Sequence, residues 1–195
     1  MKQSKAREFL EFFQDIDARL GKETHVHKIA LYIFGGAAAV IAYGSRRGTL
    51  DIDTFIEDGA VKSKLLNWAG QGSELETKHG LYLHSANTEL MLIESPDWME
   101  RSIEVLSGEL KHIRIMALSK EDLILSKLSR YNDRDREDIQ FIVGKHKIDP
   151  EKLIKYFKSA RQYFVGNLET LDATFNIVLK EYFDLNPRSF EPPSR

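Results

Sequence analysis

Between residues 29 and 57 the chain reads IALYIFGGAAAVIAYGSRRGTLDIDTFIE, and this stretch limits the fold more than any other. Ile29 to Phe34 is a short apolar run of strand formers and reads as a central strand. Gly35-Gly36 breaks it, and AAAVIAYG then reads as a helix packed closely enough to need alanine. Leu50 to Ile56 returns to strand texture. Asp51 and Asp53 alternate there against Leu50, Ile52 and Ile56, with Phe55 out of step. A strand, a glycine corner, a helix and an acidic strand in so short a stretch leave few topologies open.

The flanking sequence fills in the frame. Phe9, Leu10, Phe13, Ile16 and Leu20 fall at helical spacing across residues 5–20, with Gly21 as a stop. Ala60 to Ala69 reads as a crossover helix ended by the Gly70/Gly72 loop. Leu81–Leu83 and Glu89–Ile93 read as strands joined by a polar HSANT turn, with weaker strands at Ile103–Val105 and Ile113–Met116. From Ser119 the texture turns helical. Ser119-x-x-Asp122 resembles a helix-start box, and further helices are expected around Arg136–Val143, from Asp149-Pro150-Glu151, and over Leu168–Phe183. The tail from Asn186 holds three of the five prolines and is expected to fray. The reading is an α+β chain: an α/β domain over residues 1–117, then a helical domain over residues 118–195, with no internal repeat.

Composition removes several function classes. The 195 residues carry 28 basic and 30 acidic side chains, so a net charge of -2 points to neither a DNA nor a membrane partner. An apolar fraction of 42% supports a packed core. Without cysteine there are no disulfides or thiolate metal sites, and a cytoplasmic location is expected. Glu and Asp interrupt the apolar positions near the N-terminus, unlike a signal peptide, and no apolar run approaches the roughly 20 residues of a spanning helix.

The chemistry lies in the glycine corner and the acidic strand. A strand that ends in Gly-Gly and opens a helix offers backbone N–H groups to a phosphate, with no Cβ in the way. Alone, such a pair serves equally well as a turn that merely needs glycine. Asp51 and Asp53 are two apart, so in a strand they project from the same face. Two carboxylates about 4 Å apart repel by on the order of 4 kcal/mol at an effective dielectric near 20, which a cation would relieve. Mg²⁺ prefers carboxylate oxygen, water and nucleotide phosphate. An edge strand with both acids solvated is the alternative. Arg47 and Thr49 precede the acids, and an arginine there can neutralise a leaving pyrophosphate. Arg46 reads as an ordinary surface cation.

The segment FGGAAAVIAYGSRRGTLDIDTFI resembles the nucleotidyltransferase superfamily of the DNA polymerase β-like fold. More narrowly it resembles small bacterial nucleotidyltransferases related to AbiEii-type toxins and the DUF6036-like proteins. SPDWMERSIEV and SKEDLILSKLSRYNDRDREDIQFIV follow in the same order, so the likeness covers residues 28–143. It implies a minimal nucleotidyltransferase fold, a mixed sheet flanked by helices, followed by a C-terminal helical bundle. It implies that Gly35 and Gly36 hold the triphosphate, with Arg47 and Thr49 beside it. Asp51 and Asp53 would bind two Mg²⁺ ions, with Mn²⁺ as a substitute, and Glu89 would be the third carboxylate where relatives more often carry Asp. Glu57 is the fallback. By the same likeness Lys127 would contact nucleotide phosphate, and Asp135 and Asp138 would orient it or Arg130. The implied reaction moves a nucleoside monophosphate from an NTP to a tRNA or protein hydroxyl in a toxin–antitoxin or phage-defence setting, with a cognate toxin or antitoxin partner. The alternative is a catalytically inactive module of the same fold that binds a protein or RNA.

Other residues read more simply. The charges of KLSRYNDRDREDI also suit a helix hairpin held by mutual ion pairs and facing water. The six histidines lack a trustworthy ligand spacing and read as surface residues, although His25-x-His27 could chelate from a strand. Lys152, Lys155, Lys158 and Arg161 form a basic stripe that is solvated or lies along an RNA backbone. Tyr156, Phe157, Phe175 and their aromatic neighbours read as helix-packing residues, and Trp68 and Trp98 as anchors of helices on the sheet.

Overall fold

The apolar run forms β1 (Ile29–Ile33), the central strand of a five-stranded mixed sheet. The structure, a computed structural model, describes residues 5–23, 28–86, 95 and 97–190. The expected strand at Glu89–Ile93 lies outside the described residues. Two compact units emerge, Met1–Ala86 with Ser102–Leu118, and Asn87–Arg101 with Ser119–Arg195.

In the first unit β2 (Asp51–Phe55), β3 (Tyr82–Ser85), β4 (Ile103–Val105) and β5 (Ile113–Ala117) complete the sheet in the order β3-β2-β1-β5-β4. Strand β1 runs parallel to β5, from Ile29↔Ile113 to Ile33↔Ala117, and antiparallel to β2, with Ile33 opposite Thr54. Strands β2 and β3 are parallel, with Asp51 opposite Tyr82 and Asp53 opposite His84. Strand β4 is antiparallel to β5. This register sorts the side chains by face. Leu31, Ile33, Ile52, Thr54, Leu83, Ile113, Ile115 and Ala117 are buried together. Asp51, Asp53, Tyr82, His84 and Arg114 project from the opposite face.

Helices cover the apolar side. The first, α1 (Lys5–Leu20), buries Phe9, Phe12, Phe13, Ile16 and Leu20, and α2 (Gly35–Tyr43) buries Ala37, Ala38, Ala39 and Val40. Helix α2 touches β2 and β5, and Tyr43 donates its hydroxyl hydrogen to the Leu118 carbonyl at 2.6 Å. Three small side chains in a row let the helix backbone lie close to the sheet, which explains the alanine run. Helix α3 (Gly59–Ala69) makes the expected crossover and packs on β3. It is followed by α4 (Glu74–His79), which the periodicity did not suggest because it is less than two turns long. Ser73 caps it by accepting from the Glu76 N–H. Buried Asp17 of α1 accepts backbone N–H bonds from Lys111, His112 and Ile113 at 2.6–3.1 Å, which fixes the start of β5. One expectation is corrected here. His84 and Ser85 belong to β3 rather than to a turn, because pairing with β2 carries the strand past Leu83.

The second unit is helical: α5 (Trp98–Arg101), α6 (Lys120–Leu125), α7 (Asp133–Lys145), α8 (Pro150–Arg161) and α9 (Leu168–Phe183). Ser119, Asn132, Asp149 and Asn167 cap the last four, with Pro150 in the first turn of α8. Arg101 grips fully buried Asp122 with two hydrogen bonds at 2.9 and 2.7 Å, donates to Ser95 at 2.6 Å, and lies 4.0 Å over the Tyr156 ring. Phe157 stacks on Phe175 at 3.8 Å. Two further expectations are corrected. The tail does not fray through residue 190: Phe190 packs 4.9 Å from Phe157, and Arg188 exchanges two backbone bonds with the Asn176 amide. Nor does Arg161 extend a solvated basic stripe, because it is buried and held by Asp172 at 2.6 and 2.8 Å.

Ala38 has no accessible surface, so Ala38→Leu must overfill the seam between α2 and the sheet. The expected loss is about 1–3 kcal/mol by urea denaturation. An unchanged midpoint would mean that the seam is looser than described.

Candidate functional site

The glycine corner is built by two separate demands on the backbone. Gly35 has φ +56°, a left-handed conformation that costs an L-residue about 1–2 kcal/mol. A Cβ there would also meet Asp53 Oδ2 at 2.9 Å. A Cβ on Gly36 would meet the Thr49 Cβ at 3.1 Å. Gly35 is favoured by its left-handed backbone, a Cβ at Gly36 would push Thr49 aside by a few tenths of an ångström, and both positions face the approach to the acidic strand. The Phe34 N–H donates to the Asp53 carbonyl at 3.0 Å, which holds the end of β1 against β2 at this point.

Helix α2 opens at this corner without a capping side chain, since its N-cap is Phe34. Asp58, Ser73, Ser119, Asn132, Asp149 and Asn167 cap the helices that follow them. Among the described residues no side chain caps the first-turn N–H groups of α2, which lie at the positive end of its dipole.

Asp51 is exposed and Asp53 half-buried, and they share the face of β2 opposite Ile52 and Thr54. Each has a defined neighbour among the described residues. The Thr49 hydroxyl donates to Asp51 Oδ1 at 2.5 Å, and His84 Nδ1 lies 2.9 Å from Asp53 Oδ1. A carboxylate only accepts, so the hydrogen in that contact sits on His84 Nδ1. Arg47 is half-buried in the loop before β2, and its backbone N–H donates to Ser45 Oγ at 3.3 Å. The structure thus brings Gly35, Gly36, Thr49, Asp51 and Asp53 together on one side of β2.

Glu89 lies outside the described residues, as do His25 and His27. Glu57 stands exposed two residues beyond the end of β2. Among the described residues no set of three or more His, Cys, Asp or Glu side chains is arranged to hold a metal ion. The two carboxylates of Asp51 and Asp53 on one strand face nonetheless fit the donor set of Mg²⁺, an ion ordinarily bound through one or two carboxylates, water and substrate phosphate.

Lys127, Arg130, Asp135 and Asp138 form one network in the second unit. The Lys127 amine is 5% exposed and lies 2.6 Å from Asp138 and 3.7 Å from Asp135. Arg130 grips Asp135 with two bonds of 2.9 Å, and Asp135 also accepts the Asn132 N–H in the capping box of α7. Ion pairs hold this hairpin as the charge pattern suggests, but Lys127, Asp135 and Asp138 are buried instead of facing water. Burial works to raise the Asp135 pKa, while the Arg130 hydrogen bonds and the charges of Lys127 and Arg130 outweigh it and hold the carboxyl below its usual range.

The expectation of a surface histidine holds for His84, which is exposed, but the residue spacing alone does not show its contact with Asp53. The signal for it was the alternation in LYLHS, which places His84 level with Asp53 once β2 and β3 pair in parallel.

A mixed five-stranded sheet flanked by helices is consistent with a nucleotidyltransferase-like fold. The chain belongs to the family described as Nucleotidyltransferase of unknown function (DUF6036), whose model matches residues 7–186. No curated protein and no solved structure matches the chain.

Lys127→Ala removes the buried ammonium that lies 2.6 Å from buried Asp138, so it is expected to cost about 3–5 kcal/mol in urea unfolding. A loss below 1 kcal/mol, the level of an exposed pair, would contradict the burial. The lowered Asp135 pKa adds stability that is complete above the unfolded carboxyl value of about 4 and is lost as pH falls through the lower folded value. Asp135→Asn should flatten that acid limb of the stability curve, and an unaltered limb would show that Asp135 does not contribute to it.

Proposed function

We propose that this protein is a Mg²⁺-dependent nucleotidyltransferase that transfers a nucleoside monophosphate from an NTP to a hydroxyl of tRNA or protein. The observation that carries the reading is the meeting of a bare, uncapped helix start at Gly35-Gly36 with the carboxylate of Asp53. Membership of the nucleotidyltransferase family supports it.

In this reading the α2 N–H groups bind the triphosphate and the corner glycines let it approach. Asp51 and Asp53 hold the metal, with Glu89 as a further carboxylate and Arg47 close to the departing phosphates. Bound Mg²⁺ would neutralise the triphosphate and polarise the α-phosphoryl group. The acceptor oxygen bonds to the α-phosphorus as the bond from that phosphorus to the bridging oxygen breaks. Pyrophosphate leaves, and the acceptor proton passes to solvent. The likeness to AbiEii-type toxins supports a toxin–antitoxin or phage-defence setting with a cognate partner. A reaction that draws on NTPs and tRNA suits the cytoplasm, and no described helix is long and apolar enough to cross a membrane.

Asp51→Ala and Asp53→Ala are each expected to abolish labelling of acceptor RNA or protein by α-³²P-NTP, with the thermal unfolding transition retained. Wild-type labelling in both variants would reject the proposal. The engagement of Asp51 by Thr49 favours a second reading, an inactive binding module of the same fold. Titration calorimetry with ATP, GTP, CTP and UTP in Mg²⁺ separates the two. Binding of any NTP supports the transferase, and no binding supports the module.

A further inference from the structure

We infer that His84 is a positioning residue for the metal-binding carboxylate of Asp53, an inference that rests on the transferase reading above. A carboxylate turns readily about its last torsion, so either oxygen can face a given direction. In this structure the two oxygens of Asp53 have different surroundings. Oδ1 takes the hydrogen bond from His84 Nδ1 at 2.9 Å. Oδ2 is turned toward Gly35, 2.9 Å from where a Cβ would stand. Occupying Oδ1 therefore aims Oδ2 at the glycine corner, where the uncapped first turn of α2 would hold phosphate.

The arrangement comes from the sheet and not from a chance surface contact. Strands β2 and β3 are parallel, Asp53 and His84 are direct partners, and side chains at paired positions leave the same face. Nδ1 is the ring nitrogen nearest the backbone, and it reaches sideways to a carboxylate one strand away. His84 is 60% exposed, so core packing does not explain its place. The family likeness assigns this position no role. Hydrogen-bond partners that orient metal-ligating carboxylates commonly govern metal affinity, and losing one typically costs about 10–100-fold.

The test measures Mn²⁺ binding to the full chain by electron paramagnetic resonance, with an NTP analogue whose α,β-bridge is methylene. It compares wild type, His84→Ala and His84→Asn. An asparagine amide nitrogen can take the place of Nδ1, whereas alanine cannot. His84→Ala should bind Mn²⁺ about 10–100-fold more weakly at an unchanged melting temperature, and His84→Asn should return most of the loss. The Mg²⁺ concentration giving half-maximal transfer should rise in the alanine variant and recover in the asparagine one. Wild-type affinity in His84→Ala would overturn the inference and leave the transferase reading standing, as would equal weakening in both variants. If the wild type itself binds neither Mn²⁺ nor the analogue, the transferase reading fails and takes this inference with it.

Discussion

The fold of the first unit turns on how closely one glycine approaches one carboxylate. Gly35 is left-handed and stands against Asp53 Oδ2, 2.9 Å from where a Cβ would be, so a side chain there would be strained and would displace the carboxylate. This contact lies where β1 stops and α2 starts, on the face of β2 that the register gives to its acids. The Phe34 N–H bond to the Asp53 carbonyl fixes the same point through the backbone. The alanines that follow let α2 lie flat on the strands, so its open end stays beside the acidic strand. Backbone N–H donors at a helix start and carboxylates attract one another, and under the proposed function a metal–triphosphate would meet both, its anionic oxygens at the N–H groups and its cation at the acids.

The second unit meets its charges in a different way. Arg101 with Asp122, Arg161 with Asp172, and Lys127 with Asp135 and Asp138 are ion pairs withdrawn from water. Such pairs add little net stability over apolar packing, because desolvation offsets most of the attraction. Their geometric demands do restrict how the helices pair. Arg130 is mostly exposed, yet it holds buried Asp135 by both oxygens and so joins the start of α7 to the turn before it. The same Asp135 completes the capping box of that helix, and one side chain serves two local needs.

Much of this was legible in the sequence because periodicity and glycine placement act locally. The central strand, the alanine helix, the acidic strand, the crossover helix and the capped helices from Ser119 onward all follow from residues close in the chain. What escaped depended on distant partners. His84 looks like part of a turn until β3 is laid beside β2. Arg161 looks like the end of a basic stripe until Asp172 is brought to it from α9. The tail looks loose because prolines dominate it, while Phe190 finds the Phe157–Phe175 stack through folding alone. Helix α4 was missed because so short a helix has too few turns to show a period.

The central claim is that the bare corner and the acidic strand receive one ligand between them. A crystal of the full chain grown with Mn²⁺ and the methylene-bridged NTP analogue, with data at the manganese absorption edge, tests it most directly. The account predicts anomalous density against Asp51 and Asp53, and triphosphate oxygens within hydrogen-bond distance of the N–H groups at Gly35 and Gly36. Nucleotide bound elsewhere, with no manganese on either aspartate, would contradict it.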